Sequence, residues 1–278
     1  MSEIRIKGEN RAMEQWILKG GSMRKSVLVF MFVFAMVYVL PAPIFIGARS
    51  RPEINRGGWS AVCFAADKEK GLAGWWKFDE GAGSAAKDSS GNGNDGEINN
   101  AEWTTGKFGK ALRFNGEDAF VEVSHNEVLA PDQFTVEAWI NPQKFVSSDQ
   151  WKFGPIILSK YGGSWKGFVL QLQDNTGNPN LMISTPEVWV HAAGSAPAKT
   201  GKWSHIAGTY DGKTAKIYAD GTLMGSAEAE LTHDEGISLV IGKGSWFDGA
   251  YFTGIIDEVK MYSRVLTAEE IKAHAEAK

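Results

Sequence analysis

Short runs of alternating apolar and polar residues recur from Gly71 onward, separated by clusters of Gly, Asn, Asp and Pro. In residues 134–140 every second side chain, beginning with the first, is apolar, so an extended segment would have one apolar face. Residues 168–173 alternate in the same way and put Gln171 and Gln173 on the polar face. Long helical periodicity is absent from this part of the sequence. The pattern predicts an all-β domain of short strands.

Two dipeptides and one capping motif predict where elements begin and end. Asp211-Gly212 and Asp220-Gly221 flank the β-rich run 214–219, and both dipeptides tolerate the positive φ angles of tight hairpin turns. We therefore expect a meander here. Residues 267–270 read Thr-Ala-Glu-Glu, a capping box in which a hydroxyl and a carboxylate satisfy free N–H groups. This motif predicts a short C-terminal helix that extends to about Ala277.

The N-terminal part of the chain has the character of an export signal. Met23, Arg24 and Lys25 precede the unbroken apolar run 27–40, and translation from Met23 instead of Met1 would suit this arrangement. At a rise of 1.5 Å per residue the run falls short of the ~30 Å membrane core, which favours export over anchoring.

The leader divides the chain into two parts. We predict a leader over residues 1–66, with a signal-like segment at about 23–48 and an unstructured spacer, followed by one folded domain over 67–278. Cleavage after Ala48 and cleavage near Ala65 are both compatible with the sequence. If the leader stays uncleaved and residues 41–46 lengthen the apolar run, it becomes a membrane anchor.

Composition excludes several kinds of partner and site. Apolar residues make up 43% of the chain, which is ample for one β-sandwich, and the formal charge is -4. A nucleic-acid partner is not expected, because tight binding to phosphates requires a basic surface. The single cysteine, Cys63, excludes an intramolecular disulfide and a multi-cysteine zinc site.

Six segments carry a resemblance to a known family. They are residues 74–81 (GWWKFDEG), 88–96 (DSSGNGNDG), 109–116 (GKALRFNG), 134–141 (FTVEAWIN), 203–212 (WSHIAGTYDG) and 254–262 (GIIDEVKMY). In this order they resemble the laminin G-like domains of the concanavalin A-like lectin and glucanase superfamily. The resemblance implies a two-sheet antiparallel jelly-roll β-sandwich whose first and last strands lie side by side. This scaffold serves sugar-binding, protein-binding and hydrolytic domains alike.

A loop rich in oxygen atoms suggests a metal site. Residues 88–97 combine Asp, Ser and Asn side chains with flexible glycines, which suits a cation that takes six to eight oxygen ligands. We predict calcium, with Asp88 as a ligand and Asn94 as another through its side chain or its carbonyl. The alternative is that Asn and Gly simply form turns and that Asp88 caps one of them.

A second carboxylate strengthens the calcium prediction. Strict alternation would place Asp257 on one strand face with Ile255, Val259 and Met261, where an ionised carboxylate needs a partner. That partner is either a cation or a neighbouring Lys or Arg. Since the resemblance implies adjacent first and last strands, the Asp88 loop would approach Asp257. Calcium held by Asp88, Asn94 and Asp257 would then stabilise the folded domain.

Several aromatic side chains are candidates for ligand binding because they lie in or beside loops. The candidates are Trp151, Trp165, Trp189 and Trp246, together with Gln171 and Gln173. Sugar rings stack their C–H faces on aromatic rings while nearby amides bind the hydroxyls. The alternative is that these tryptophans pack loops or cover sheet edges. Trp75, Trp139, Trp203 and His205 lie within the family segments, and we expect them to be structural.

The acidic residues do not form a recognisable catalytic pattern. A retaining glycosidase needs two carboxyls about 5 Å apart on one face, whereas the neighbours Asp257 and Glu258 would point in opposite directions. We therefore expect a non-catalytic, calcium-stabilised recognition module, secreted or at the cell surface, that binds a glycan or a glycoprotein. The alternatives are a structural or adhesion domain that binds protein, and a glycoside hydrolase on the same scaffold.

Overall fold

The computed structural model describes residues 69–145, 153–233, 236–246 and 249–278. The predicted leader over residues 1–66 and the candidate Trp151 lie outside these ranges. Within them, no helix has both the length and the apolar character needed to cross a membrane.

The domain is a sandwich of two antiparallel eight-stranded sheets, with strands numbered in chain order. Sheet A contains β1 (Leu72–Trp76), β4 (Glu102–Thr105), β5 (Lys110–Asn115), β7 (Phe134–Pro142), β12 (Ser204–Tyr210), β13 (Thr214–Ala219), β14 (Thr222–Glu228) and β16 (Thr253–Tyr262). Sheet B contains β2 (Ala85–Ala86), β3 (Gly96–Asn99), β6 (Phe120–Val123), β8 (Ile156–Tyr161), β9 (Gly167–Leu172), β10 (Pro179–Ser184), β11 (Trp189–Ala193) and β15 (Leu239–Ile241). A 3-10 turn at Glu127–Leu129 and the helix α1 (Ala268–Ala275) complete the described elements. The all-β prediction with a jelly-roll sandwich is confirmed.

The strand order agrees with the implied topology. Sheet A runs β14-β13-β12-β7-β16-β5-β4, and sheet B runs β11-β10-β9-β8-β15-β6-β3-β2. The first strand, β1, pairs antiparallel with the last strand, β16, as the resemblance implied. The β12-β13-β14 meander is also confirmed, and its second turn uses Asp220 at φ 47° and Gly221 at φ 76°.

The core lies between the sheets and is formed by the predicted apolar faces. Phe134 and its alternate neighbours in β7 point into it, as do Phe168 and its alternate neighbours in β9. The rings of Phe134 and Phe168 stack across the two sheets with centroids 4.2 Å apart. Burying large apolar side chains in this way is the main source of the domain's stability.

Strand β16 contains a β-bulge that changes which side chains face the core. The pairing with β7 shifts register between Asp257 and Lys260, and Glu258 takes a φ of 49°. The extra residue reverses the alternation, so Ile256 and Val259 both join the core cluster. The prediction that Asp257 shares a face with Val259 and Met261 is therefore wrong. Asp257 points away from the core, to the outer face of sheet A.

The helix α1 covers part of that outer face. Its capping box is present as predicted: the Thr267 hydroxyl accepts from the Glu270 amide, and the Glu270 carboxylate accepts from the Thr267 amide. The helix ends at Ala275 rather than at about Ala277. Leu266 and Ile271 pack with Tyr262 in a second apolar cluster, which fixes the helix on the sheet.

Candidate functional site

An aromatic cluster lies on the outer face of sheet B. It consists of Phe153, Tyr161, Trp165, Trp189 and Trp246. Tyr161 is central, with ring centroids 4.6 Å from both Trp189 and Trp246. Phe153 and Tyr161 also belong to a buried apolar cluster, so the sheet supports these rings from below. The arrangement forms a fixed aromatic surface.

Trp165 leaves a large part of its ring open to solvent. It follows β8, has a φ of 62°, and is 44% exposed. Its amide donates to the Tyr161 hydroxyl at 3.3 Å, and its ring lies 6.4 Å from that of Trp189. A tethered but exposed indole can offer a flat apolar face to a ligand.

A polar pocket of about 340 Å³ lies on the same face. Its lining residues are Gln171, Gln173, Asp174, Thr176, Asn180 and His191. Gln171 Oε1, Asp174 Oδ1 and Asn180 Oδ1 are buried and have no hydrogen-bond partner among the described residues. Because buried polar atoms are normally paired, these three oxygens suit a ligand or waters that carry O–H or N–H donors.

His191 links the pocket to the aromatic cluster. His191 and Trp189 are two residues apart in β11, so their side chains lie on the same, outer face. His191 also lies opposite Met182 of the neighbouring strand β10, and Met182 belongs to the apolar cluster on that face. Burial lowers the pKa of His191, and the neutral ring accepts from Asn180 Nδ2 through Nδ1 at 3.0 Å. The polar pocket and the aromatic cluster therefore adjoin on one surface, which we call the sheet B face.

The structure brings most of the sequence candidates together. Trp165, Gln171, Gln173, Trp189 and Trp246 all lie on the sheet B face. Sequence reasoning missed Tyr161, Asp174, Asn180 and His191. Two of these residues could have been found from the sequence. Residues 180–184 alternate so that Asn180 lies on the outer side, and His191 follows Trp189 by two residues and so shares its face.

The predicted calcium ligand Asp88 is surrounded by hydrogen-bond donors. Its Oδ1 accepts from the amides of Trp75 and Ser90, and its Oδ2 accepts from the Ser90 hydroxyl and the Asn94 amide. Burial alone would raise the pKa of Asp88, but these bonds outweigh burial and hold the pKa below its ordinary value. The ionised carboxylate thus organises the loop, as in the turn-capping alternative.

Asn94 and Asp257 make separate contacts. Asn94 Oδ1 accepts from Asn126, and its main-chain oxygen accepts from Trp76 Nε1. Asp257 Oδ2 accepts from the amides of Lys107 and Phe108, whereas its buried Oδ1 lacks a partner among the described residues. Burial raises the pKa of Asp257 to about 7. None of the hydrogen bonds found between described residues joins Asp257 to Asp88 or Asn94, although Asp88 and Asn94 are bonded to each other.

The sequence comparison identifies the family. A model of the concanavalin A-like lectin/glucanases superfamily, of the laminin G-like kind, matches residues 115–272, more than half of the chain. The chain belongs to this superfamily. No curated protein matches the sequence of this laminin G-like domain.

Several solved structures share the fold of the laminin G-like domain. Domain 4 of AbnA, an extracellular arabinanase from Geobacillus stearothermophilus solved with arabinotriose, has a TM-score of 0.61 at 23% identity, over 74% of this chain and 98% of that one. The binding domain of Paraclostridial Mosquitocidal Protein 1 has a TM-score of 0.60 at 18% identity, over 74% and 52%. The botulinum neurotoxin serotype D binding domain has a TM-score of 0.55 at 18% identity, over 74% and 51%. The domain thus spans about half of each toxin structure, and at these identities the similarity shows the fold.

Calcium stays a prediction for this laminin G-like domain. Among the described residues, no group of three or more His, Cys, Asp or Glu side chains could hold a metal ion. In the conformation described, the side-chain oxygens of Asp88 and Asn94 already accept hydrogen bonds. The predicted ligands Asp88, Asn94 and Asp257 therefore do not fit a cation unless the loop changes its conformation. If calcium binds, EDTA should lower the melting midpoint and added calcium should restore it. A midpoint that responds to neither would contradict the prediction and leave the loop to its hydrogen bonds.

Proposed function

We propose that this domain is a secreted, non-catalytic recognition module that binds carbohydrate through the sheet B face. The observation that carries the proposal is the adjacency of an exposed, supported aromatic surface and a pocket with three unpartnered buried oxygens. The glycan belongs to a polysaccharide or to a glycosylated surface protein. Secretion rests on the signal-like residues 23–48 of the leader.

The chemistry of the two parts matches that of a sugar. The C–H face of a sugar ring is apolar and can pack on Trp165 and Trp189, whereas its hydroxyls can donate to Gln171, Asn180 and Asp174. Such a ligand removes apolar surface from water and pairs the buried oxygens at the same time. The complex of the arabinanase domain with arabinotriose supports carbohydrate binding, because that domain shares the fold.

The proposal of binding without cleavage rests on the acids of the pocket. Asp174 is the single carboxylate among the described residues that line the pocket. Glycoside hydrolysis ordinarily uses two carboxyl groups that flank the scissile bond, one as acid and one as nucleophile or base. A pocket with one carboxylate holds a sugar chain more readily than it cuts one.

We expect Trp165→Ala and Asn180→Ala each to weaken binding of a responsive polysaccharide at least about tenfold, because each removes a central contact. Isothermal titration against arabinan, xylan, galactan and laminarin provides the measurement. Leu223→Ala is the matched control, since Leu223 is an exposed apolar side chain of similar accessibility, 52%, on β14 of sheet A. It should leave the affinity unchanged.

Three results would contradict the proposal. Unchanged affinity in both variants would place binding elsewhere on the domain. Capture of a surface protein that survives its deglycosylation would favour the adhesion alternative. Release of reducing ends that Asp174→Asn abolishes would favour a hydrolase.

A further inference from the structure

A second pocket lies on the outer face of sheet A, on the opposite side of the core from the sheet B face. Its volume is about 260 Å³. Its lining residues are Trp75, Phe108, Glu137, Trp139, His205, Glu258, Lys260, His274, Ala277 and Lys278. We call it the sheet A pocket. It is assembled from strands β1, β7, β12 and β16, the turn between β4 and β5, the helix α1 and the residues that follow it.

Aromatic rings form the walls of the sheet A pocket. Phe108 meets Trp139 edge-on with centroids 5.9 Å apart, and Trp139 lies 5.4 Å from the His205 ring. Phe108 is held in place because its amide donates to the buried carboxylate of Asp257. The residue predicted as a calcium ligand thus positions a wall of this pocket.

The floor contains two buried polar side chains that are incompletely paired. Glu137 is 3% exposed and His205 is 2% exposed. The His274 ring donates through Nδ1 to Glu137 Oε1 at 2.8 Å, but Glu137 Oε2 makes no hydrogen bond among the described residues. The nearest nitrogen to Glu137 Oε2 is His205 Nε2 at 3.5 Å, and His205 Nδ1 is itself unpaired among those residues. Two polar atoms are therefore left for a ligand at the base of the pocket.

Charges of both signs surround this floor. Lys260 Nζ lies 4.0 Å from Glu137 Oε1 and 4.8 Å from the centre of the Trp75 ring. Glu258 accepts from Trp75 Nε1 at 2.6 Å, so its carboxylate is fixed at the pocket wall. An anion would be repelled by Glu137 and Glu258, and a cation would compete with Lys260. A neutral ligand that both donates and accepts hydrogen bonds suits this mixture.

We propose that the sheet A pocket binds a single neutral sugar residue, as a terminal or side unit of a glycan. A sugar hydroxyl donates to Glu137 Oε2, and the C–H face of the ring packs against the aromatic walls, where it displaces the lysine side chains that lie over Trp75 and Trp139. The volume lies below the roughly 300–1,000 Å³ of pockets for drug-sized ligands, which matches one ring better than a chain. This inference does not depend on the sheet B face, because the two sites share no residue.

Proton–carbon NMR of the histidine rings tests the proposal on the whole domain. The probes are glucose, galactose and arabinose as free monosaccharides, and the reporters are the ring signals of His205 and His274, assigned by His→Gln variants. We expect at least one probe to shift both signals saturably, with a dissociation constant on the order of millimolar for so small a ligand. His191 in the other pocket reports the sheet B face separately. Shifts at His191 alone would overturn this proposal and leave the proposed function intact.

Variants of the floor and the wall make the test specific. Glu137→Gln and Trp75→Leu should each weaken the response at least about tenfold, whereas Trp165→Ala on the sheet B face should not change it. Trp75 is half-buried, so its replacement keeps the test informative if the buried Glu137 variant does not fold. The proposal fails if no probe shifts the His205 signal at a concentration about tenfold above the expected dissociation constant. It also fails if Trp75→Leu leaves the response unchanged.

Discussion

Replacing Glu137 with Gln is expected to lower the free energy of unfolding by about 3 kcal/mol at pH 6, and by progressively less as the pH falls toward 2. The carboxylate is buried and contacts His205 and His274, so the variant removes the negative charge that both rings contact. Burial alone would raise the pKa of Glu137, but the nearby His205 ring and the hydrogen bond from His274 outweigh burial and lower the pKa from 4.5 to about 2.

The sign of the pH dependence follows from that lowered pKa. The folded state holds the proton more weakly than the unfolded state, so the ionised carboxylate stabilises the fold fully above about pH 4.5. Its contribution declines as the pH falls through the window from 4.5 to about 2, where the carboxyl becomes protonated in both states.

Urea unfolding of the wild type and the variant between pH 3 and pH 6 measures this difference. Glu122→Gln, at an exposed glutamate of β6, is the control and should change stability by less than about 0.5 kcal/mol. A Glu137→Gln penalty that is constant across the range would contradict the assigned pKa.

Trp76→Ala is expected to lower the free energy of unfolding by about 4 kcal/mol. The Trp76 side chain is fully buried in the core, so its removal loses the transfer free energy of the indole and leaves a cavity. It also breaks the bond from Trp76 Nε1 to the Asn94 carbonyl, 2.7 Å long, which ties the Asp88 loop to β1.

Trp76→Phe separates the two parts of that cost. It keeps much of the packing but leaves the Asn94 carbonyl unpaired, for an expected loss of about 1–2 kcal/mol. Trp103→Ala provides a size-matched comparison at the half-buried edge strand β4 and should cost clearly less than Trp76→Ala. Chemical denaturation of the three variants supplies the values, and equal losses for Trp76→Ala and Trp103→Ala would refute the assignment of Trp76 to the core.

Much of the fold could be predicted from local pattern. The period-two alternation in β7 and β9 identified their core faces correctly, because both strands are regular over these residues. The turn at Asp220-Gly221 and the capping box at Thr267 were predictable because they depend on neighbouring residues only. The jelly-roll arrangement itself came from the family segments, since alternation gives strands but not their order.

The errors arose where one residue or a distant segment decides the outcome. The extra residue at Glu258 means that strict alternation assigns residues on its two sides to the wrong faces relative to one another. The sequence pattern of β16 does not indicate this bulge. The expectation that Trp75 and Trp139 are structural stays a prediction. The sequence did not indicate that both side chains line one pocket together with His274 of α1. What covers the outer side of a sheet depends on tertiary packing that alternation does not encode.

The core between the two sheets has a consequence for how this domain can change over time. Sheets in a sandwich lie about 10 Å apart, and substitutions separated by about 7–10 Å without shared partners usually have additive effects. The outer faces of sheets A and B share no side chains, since the inward residues belong to a separate cluster. Evolution can therefore change the side chains of one outer face by successive substitutions while the effects of substitutions on the other face stay the same, as long as the core residues between the sheets are retained.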